Sequence, residues 1–166
     1  MNIELTKATP AEKPVLANLL ELYLHDFTEY DGADIGPDGR FGYDYLDAYW
    51  TEETRTPLLV RVDGKLAGFA LLKRGSTLLN DPDTMHVAEF FIMRKYRRRG
   101  AGSETARRMF DLLPGRWEVS EMAANLPAQA FWRKVIGAYT NGRFEERQWD
   151  TARWRGPVQW FDNGRA

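Results

Sequence analysis

"AEFFIMRKYRRRGAGSETARRMFDLL", residues 88–113, joins an apolar run, a basic turn broken by glycine, and an apolar face at helical spacing. Five of the six residues from Arg94 to Arg99 are basic, and Gly100 and Gly102 flank Ala101 directly after them. "HVAEFFIM" (86–93) is mostly apolar, as expected of a central strand. Ala106, Met109, Phe110 and Leu113 stand at i, i+3, i+4 and i+7, and Pro114-Gly115 stops the helix they predict. A helix N-terminus presents unpaired N–H groups and a partial positive charge, and glycine lets a ligand come close to the backbone. Strand, glycine turn and helix in this order predict an anion site, typically for phosphate. The arginines alone also fit a solvated surface run or a nucleic-acid patch.

The composition separates these readings. Lys and Arg number 23 against 24 Asp and Glu, for a formal net charge of -1. A dedicated nucleic-acid binder carries a basic excess, so the arginine run is local. The 166 residues, 43% hydrophobic and 28% charged, suit one domain over 1–166 with a full core. With no cysteine, disulfides, thiolate metal sites and a cysteine nucleophile are excluded. "MNIELTKATP" lacks the basic-then-apolar order of a secretory signal, and no apolar stretch approaches the roughly 18 residues of a membrane span. A cytoplasmic chain with no membrane partner is the expectation.

Outward from the glycine turn, the remaining segments read as a mixed α/β domain. Ile3 and Leu5 predict a short first strand, and "TPAE" (9–12) a capping box with proline at the first helical position. Leu16, Leu19, Leu20, Tyr23 and Phe27 recur at helical spacing, with Pro14 expected to disturb the first turn. "DGADIGPDGRFGYDY" (31–45) reads as a loop able to reach over a site, followed by a short helix near 43–52. Asp63-Gly64 between apolar runs predicts a hairpin over 57–74, followed by a polar loop over 75–84. "RWEVSEM" (116–122) reads as a strand, and Ala128, Phe131, Trp132 and Val135 as a helix stopped by Gly137. "AYTNGRFEERQW" (138–149) and "GPVQWF" (156–161) read as two last strands, the apolar second of which is a candidate homodimer contact.

The phosphate ligand is narrowed by pattern. GxxxxGK[ST] does not occur, and GxGxxG fails because "GAGSET" has Thr105 where the third glycine belongs. Arg97-x-x-Gly100-x-Gly102 matches a third pattern, with "NLPAQAFWRKVIG" (125–137) on the next predicted helix. Together these motifs resemble the GCN5-related N-acetyltransferases, the GNAT family, and within it a subgroup of predicted acetyltransferases; the resemblance covers about residues 57–145. It implies a mostly antiparallel central sheet flanked by helices, with splayed central strands forming an acetyl-coenzyme A cleft. It further implies that Ile92 pairs with the pantetheine arm and that Arg97, Arg98, Arg99, Gly100, Ala101 and Gly102 cradle the pyrophosphate. Asn125 and Phe131 match cofactor-facing positions of the second motif, although Phe131 also reads as core. No metal is implied; Asp81, Asp83 and His86 in "NDPDTMH" read as a polar turn.

Glu89 is the one carboxylate within the apolar strand, and alternation turns it away from Phe90 and Ile92. A carboxylate is rarely buried without a partner. In similar enzymes a strand Glu near this point lies beside the acceptor, so Glu89 is a candidate general base and also a candidate structural ion pair. His86 opens the same strand and is the second catalytic candidate; His25, Tyr30 and Tyr43 are candidate acceptor contacts. Many family members carry Tyr as general acid where this chain has Trp132, whose indole is no usable acid; Tyr139 is the substitute candidate.

Charge placement adds an acceptor class. Ten acidic residues lie between Glu21 and Glu53 against Arg40 alone, whereas eight basic residues between Arg94 and Arg116 face Glu104 and Asp111. An acidic, aromatic wall predicts a cationic amine acceptor attacked without a covalent enzyme intermediate. An acidic solubilising surface is the plain alternative. The competing functions are a non-catalytic acetyl-coenzyme A sensor and a nucleic-acid module.

Overall fold

The computed structural model describes residues 1–76 and 78–164; Thr77, inside the loop expected over 75–84, lies outside the described residues. Seven strands form one sheet: β1 (Ile3–Lys7), β2 (Arg55–Val62), β3 (Lys65–Ser76), β4 (Asp81–Ile92), β5 (Arg116–Ser120), β6 (Glu145–Asp150) and β7 (Arg155–Asp162). The four α-helices are α1 (Lys13–Asp31), α2 (Ala48–Thr51), α3 (Ala101–Leu112) and α4 (Leu126–Thr140). The order in the sheet is β1-β2-β3-β4-β5-β7-β6, antiparallel throughout except for β4 against β5. The element order follows the sequence patterns one for one. Asp63 and Gly64 both take the left-handed conformation, φ 50° and 73°, which a two-residue hairpin between twisted strands requires.

Two local expectations shift. The last helix runs to Thr140, and its strand begins only at Glu145, because Tyr139 and Thr140 continue the helical face of Val135 and Ile136. Strands β3 and β4 reach inward to Ser76 and Asp81, so the polar loop between them is short. The apolar "PVQWF" strand is correspondingly no free edge: β7 lies between β5 and β6, and its backbone pairs on both sides. Its apolar character reflects burial within the sheet, and neither edge is open to pair with a second copy.

Each face of the sheet carries its own layer. Leu16, Leu19, Leu20 and Tyr23 of α1 pack on Leu59, Phe69, Leu71 and Phe91. On the other face, Ala106, Met109 and Phe110 of α3, with Trp132, Val135 and Ile136 of α4, cover Leu58, Ala70, Leu72, Val87, Trp117 and Phe161. Strand alternation explains this division except where the register shifts, as it does between β2 and β3 at Val60/Arg61 and twice between β3 and β4. Leu71 pairs with Glu89 but Leu72 pairs with Val87, so Ala88 is an extra, bulged residue in β4. The bulge resets the alternation, so Val87 faces α3 and α4 while His86 joins Glu89 on the α1 face.

Gly68 pairs with Ile92 at the end of β4, where a Cβ would meet the Phe91 carbonyl oxygen at 2.0 Å. The obstacle is backbone, which cannot swing aside. We expect Gly68→Ala to lower stability in urea unfolding by at least about 2 kcal/mol, in the range of overpacked cores. Wild-type stability in that variant would show that β3 and β4 separate freely at this point.

Candidate active site

Strands β4 and β5 run side by side only where Met85, His86 and Val87 pair with Trp117, Glu118 and Val119. Beyond those pairs the strands part, and a cleft of about 340 Å³ opens between them. Tyr23, Leu24 and Phe27 line it from α1, His86 through Phe90 from β4, Val119 through Met122 from the β5 end, Asn125, Ala128 and Trp132 from α4, and Trp154 from the turn before β7.

Glu89 is held from two directions. The Tyr23 hydroxyl donates to Oε2, and the Tyr43 hydroxyl donates to Oε1 at 3.1 Å. Burial pushes the Glu89 carboxyl above its usual range, against the opposing pull of the two phenols and His86. Burial, and next the Glu89 charge, push both phenols well above their ordinary value. These bonds tie α1 and the loop before α2 to β4. Tyr43 is thereby tied to Glu89, although it does not itself border the cleft. His25 and Tyr30 do not border the cleft. At 3.6 residues per turn His25 points away from the Tyr23 face; it is exposed with its ring 6.4 Å from Phe41, and Tyr30 packs 6.0 Å from Phe27.

His86 stands where the strands begin to part. Its Nδ1 approaches Glu118 Oε1 to 2.9 Å, off the direction of a well-aligned ring N–H bond. Glu118 is 1% exposed, and its other oxygen accepts from the Ser76 hydroxyl. Ser76 Oγ in turn accepts from the Leu79 N–H at 2.8 Å. Glu121, 4% exposed, has no hydrogen-bond partner for either carboxylate oxygen among the described residues. Burial, with the nearby Glu146 charge, pushes its carboxyl up to about 8. Glu121, Tyr23 and Trp154 line the cleft and Glu118 meets His86 behind it, and the sequence reading names none of them as a candidate site residue. Glu118 and Glu121 carry the signal that marks Glu89, an acid within or beside an apolar strand, whereas Tyr23 is absorbed into the apolar stripe of its helix.

At the far end of β4 the glycine turn leads into α3. Gly100 is left-handed at φ 86° and precedes the first helical residue, Ala101. The N–H groups of that first turn have no intrahelical acceptor. A Cβ on Gly102 would meet Phe131 at 3.2 Å, so the missing side chain is what lets α3 approach α4 here. Phe131 stacks on Phe90 at 5.9 Å, and Asn125 caps α4 by accepting the Ala128 N–H at 3.1 Å. Both have packing or capping roles beside the parted strands.

The basic run divides in two. Arg97 donates from Nε to the Ile92 carbonyl at 2.6 Å and from Nη2 to Asp26 at 2.6 Å, and Arg94 also pairs with Asp26. Burial works to raise the Asp26 carboxyl, but the Arg97 and Arg94 bonds outweigh it and hold the group below its usual value. These arginines pin the turn to α1. Arg98 and Arg99 are exposed and have no acidic partner among the described residues. The acidic wall is also partly spent internally: Glu21 accepts from the Phe41 and Gly42 N–H groups, Asp47 pairs with Lys13, and Glu52 pairs with Arg55. Tyr139 donates to Asp111 at 2.9 Å and packs on Phe110 and Phe161, away from the cleft, so it is no substitute acid. Trp132 lies against Phe90 in the core, 5% exposed. Among the described residues no group of three acidic or histidine side chains is placed to hold a metal, and no helix is long and apolar enough to cross a membrane.

The sequence model of the acetyltransferase (GNAT) family matches residues 16–138. No curated protein sequence matches the chain significantly. Among solved structures, an acetyltransferase from Thermus thermophilus is similar at 18% identity and a TM-score of 0.68, covering 96% of this chain and 95% of that one. The aminoglycoside acetyltransferase AAC(6')-Ib, solved with coenzyme A, is similar at 18% identity and 0.66, covering 97% and 95%. A GNAT-family acetyltransferase from Staphylococcus aureus is similar at 13% identity and 0.61, covering 97% and 99%.

Glu121 gives a pH test of the buried cluster. A carboxyl raised from 4.5 to about 8 contributes stability fully present below its unfolded value and lost as pH rises through its folded one. We expect Glu121→Gln to raise the Tm relative to wild type at pH 9 and to change it little at pH 5. A Tm difference independent of pH would show that Glu121 is ionised throughout.

Proposed function

This chain belongs to the acetyltransferase (GNAT) family, and from that premise we propose that it moves an acetyl group from acetyl-coenzyme A to a cationic primary amine bound between α1 and the parted strands. The observation that carries the reading is the separation of β4 and β5 directly after Val87, with the glycine turn at the end of the freed strand. Acetyl-coenzyme A, when bound, supplies the acetyl group as a thioester. The residues present fit it. Parted β4 offers backbone groups to an amide-bearing arm, the first turn of α3 offers N–H groups and positive dipole to a pyrophosphate, and exposed Arg98 and Arg99 add charge. Ile92 contributes through its N–H side, its carbonyl being occupied by Arg97. Asn125 and Phe131 shape the α4 wall.

The chemistry required of the protein is small. It holds the amine against the thioester and removes one proton from the ammonium. His86 and Glu89 share the α1 face through the Ala88 bulge, so both stand on the acceptor side for that proton. A thiolate is already a fair leaving group, with a thiol value of roughly 8.5, so Trp132 in place of an acid is tolerable. The acceptor class rests on Glu89 together with the rings of Tyr23, Phe27 and Trp154, a carboxylate and aromatic faces that favour a cation. AAC(6')-Ib, solved with coenzyme A and kanamycin, gives a cationic amino sugar as a matching probe.

Acetyl-coenzyme A at roughly 100 times its Kd should raise the Tm by about 5–10 °C. Gly100→Val should abolish that rise while leaving a cooperative unfolding transition, because a β-branched residue resists φ near 86° and its side chain fills the phosphate approach. A folded Gly100→Val that is stabilised normally by acetyl-coenzyme A would remove the cradle assignment. Turnover is read as released thiol over spermidine, kanamycin, lysine, alanine and glutamate, at low and high salt. The cationic amines should lead and should lose rate in salt. Saturable acetyl-coenzyme A binding with no turnover on any of them would favour the sensor.

A further inference from the structure

We propose that His86 is the base of the acetyl transfer and that Glu118, with Ser76 behind it, is the positioning residue that fixes its tautomer; this rests on the acetyltransferase reading above. Three hydrogen-bond directions lead to it. Ser76 Oγ accepts the Leu79 N–H and donates its own proton to Glu118 Oε2. Both Glu118 oxygens are thereby placed as acceptors, Oε2 toward Ser76 and Oε1 toward the His86 ring. Nδ1 of His86, fully enclosed and 2.9 Å from Glu118 Oε1 though off the line of a well-aligned bond, is the ring nitrogen to which this placement assigns the proton. In the neutral ring the lone pair is on Nε2, the nitrogen left without a partner among the described residues, on a side chain 22% exposed and bordering the cleft.

The position suits the task. His86 and Glu118 are register partners in the short parallel stretch, one residue before the strands part, so the ring stands at the throat of the cleft on rigid strands. A base oriented by a buried third group is the general form of an activated proton acceptor. Glu89, by contrast, already accepts from two phenols, one on each oxygen, and so ties α1 and the Tyr43 loop to β4. It serves as the anchor for the acceptor's positive charge. In the reaction the amine nitrogen forms its bond to the acetyl carbon as the C–S bond breaks. The electron pair leaves on sulfur, the amine proton goes to His86 Nε2, and solvent exchange clears the ring.

The groups facing His86 are Glu118 from β5, Lys73 across the pair on β3, Glu89 on its own strand and Tyr23 from α1. The test reads the ring directly. The chain has two histidines, so a long-range 1H–15N spectrum of the ligand-free protein, with His25→Asn for assignment, resolves the His86 tautomer. We expect the Nδ1–H form in wild type above neutral pH and a shift toward Nε2–H in Glu118→Gln. With acetyl-coenzyme A and spermidine or kanamycin, Glu118→Gln should lower kcat/KM by about 10- to 10²-fold and leave the KM for acetyl-coenzyme A unchanged. Glu118→Asp should recover most of the rate. An Nε2–H ring in wild type, or a tautomer unchanged by Glu118→Gln, overturns the proposal, and the wild-type spectrum decides it even if the variant does not fold. Absence of wild-type turnover on both amines overturns the acetyl-transfer reading instead, while the tautomer still reports on the pair.

Discussion

Two adjacent parallel strands that pair for three residues and then separate impose the main constraint on this molecule. Backbone N–H and C=O groups are obligatory hydrogen-bonding groups, and each one left buried and unpaired costs about 1–3 kcal/mol. A sheet interior that comes apart is therefore costly unless something else satisfies the exposed strand. Here β4 continues past its last pairing with β5 for five residues, from Ala88 to Ile92, still held by β3 on its other side. The opening is thus one-sided.

The other parts of the structure keep that opening at a fixed width. On one face Tyr23 and Tyr43 meet on Glu89, and Arg94 and Arg97 meet on Asp26, so α1 is fastened to both ends of the freed strand. On the other face, Phe90, Phe131 and Trp132 pack at ring separations of 5.0–5.9 Å and hold α4 against the same strand. A single polar contact at the surface is worth little, but these carboxylates are wholly or partly withdrawn from water, where charged hydrogen bonds are stronger. The bulge at Ala88 adds direction. It lets β4 give Val87 to one core while His86 and Glu89 turn together toward the other.

Much of this is legible in the chain. Alternating and helical apolar patterns, Asp63-Gly64, and the motifs at Arg97–Gly102 and Asn125–Phe131 are local features, and local sterics determine what they become. They point to the element order, the family, the location of the phosphate turn and two candidate bases. Glycine at 100 permits the positive φ found there, whereas the close approach at Gly102 is to Phe131 of α4 and is a tertiary contact. Glu89 is legible for the same kind of reason, since an acid in an apolar strand must find a partner.

What tertiary structure alone decided was which groups meet. Nothing local tells that the partners of Glu89 are Tyr23 and Tyr43, 66 and 46 residues away, or that Asp26 claims the first arginines of the basic run. His86 and Glu118 are brought together by strand pairing across an intervening helix, and His86 shares a face with Glu89 only because one extra residue in β4 shifts the alternation. Alternation, helical period and turn chemistry act within a few residues and can be read from sequence. Register, bulges and the pairing of distant charges depend on how whole elements pack, and that is settled only when the sheet and its two helical layers close together.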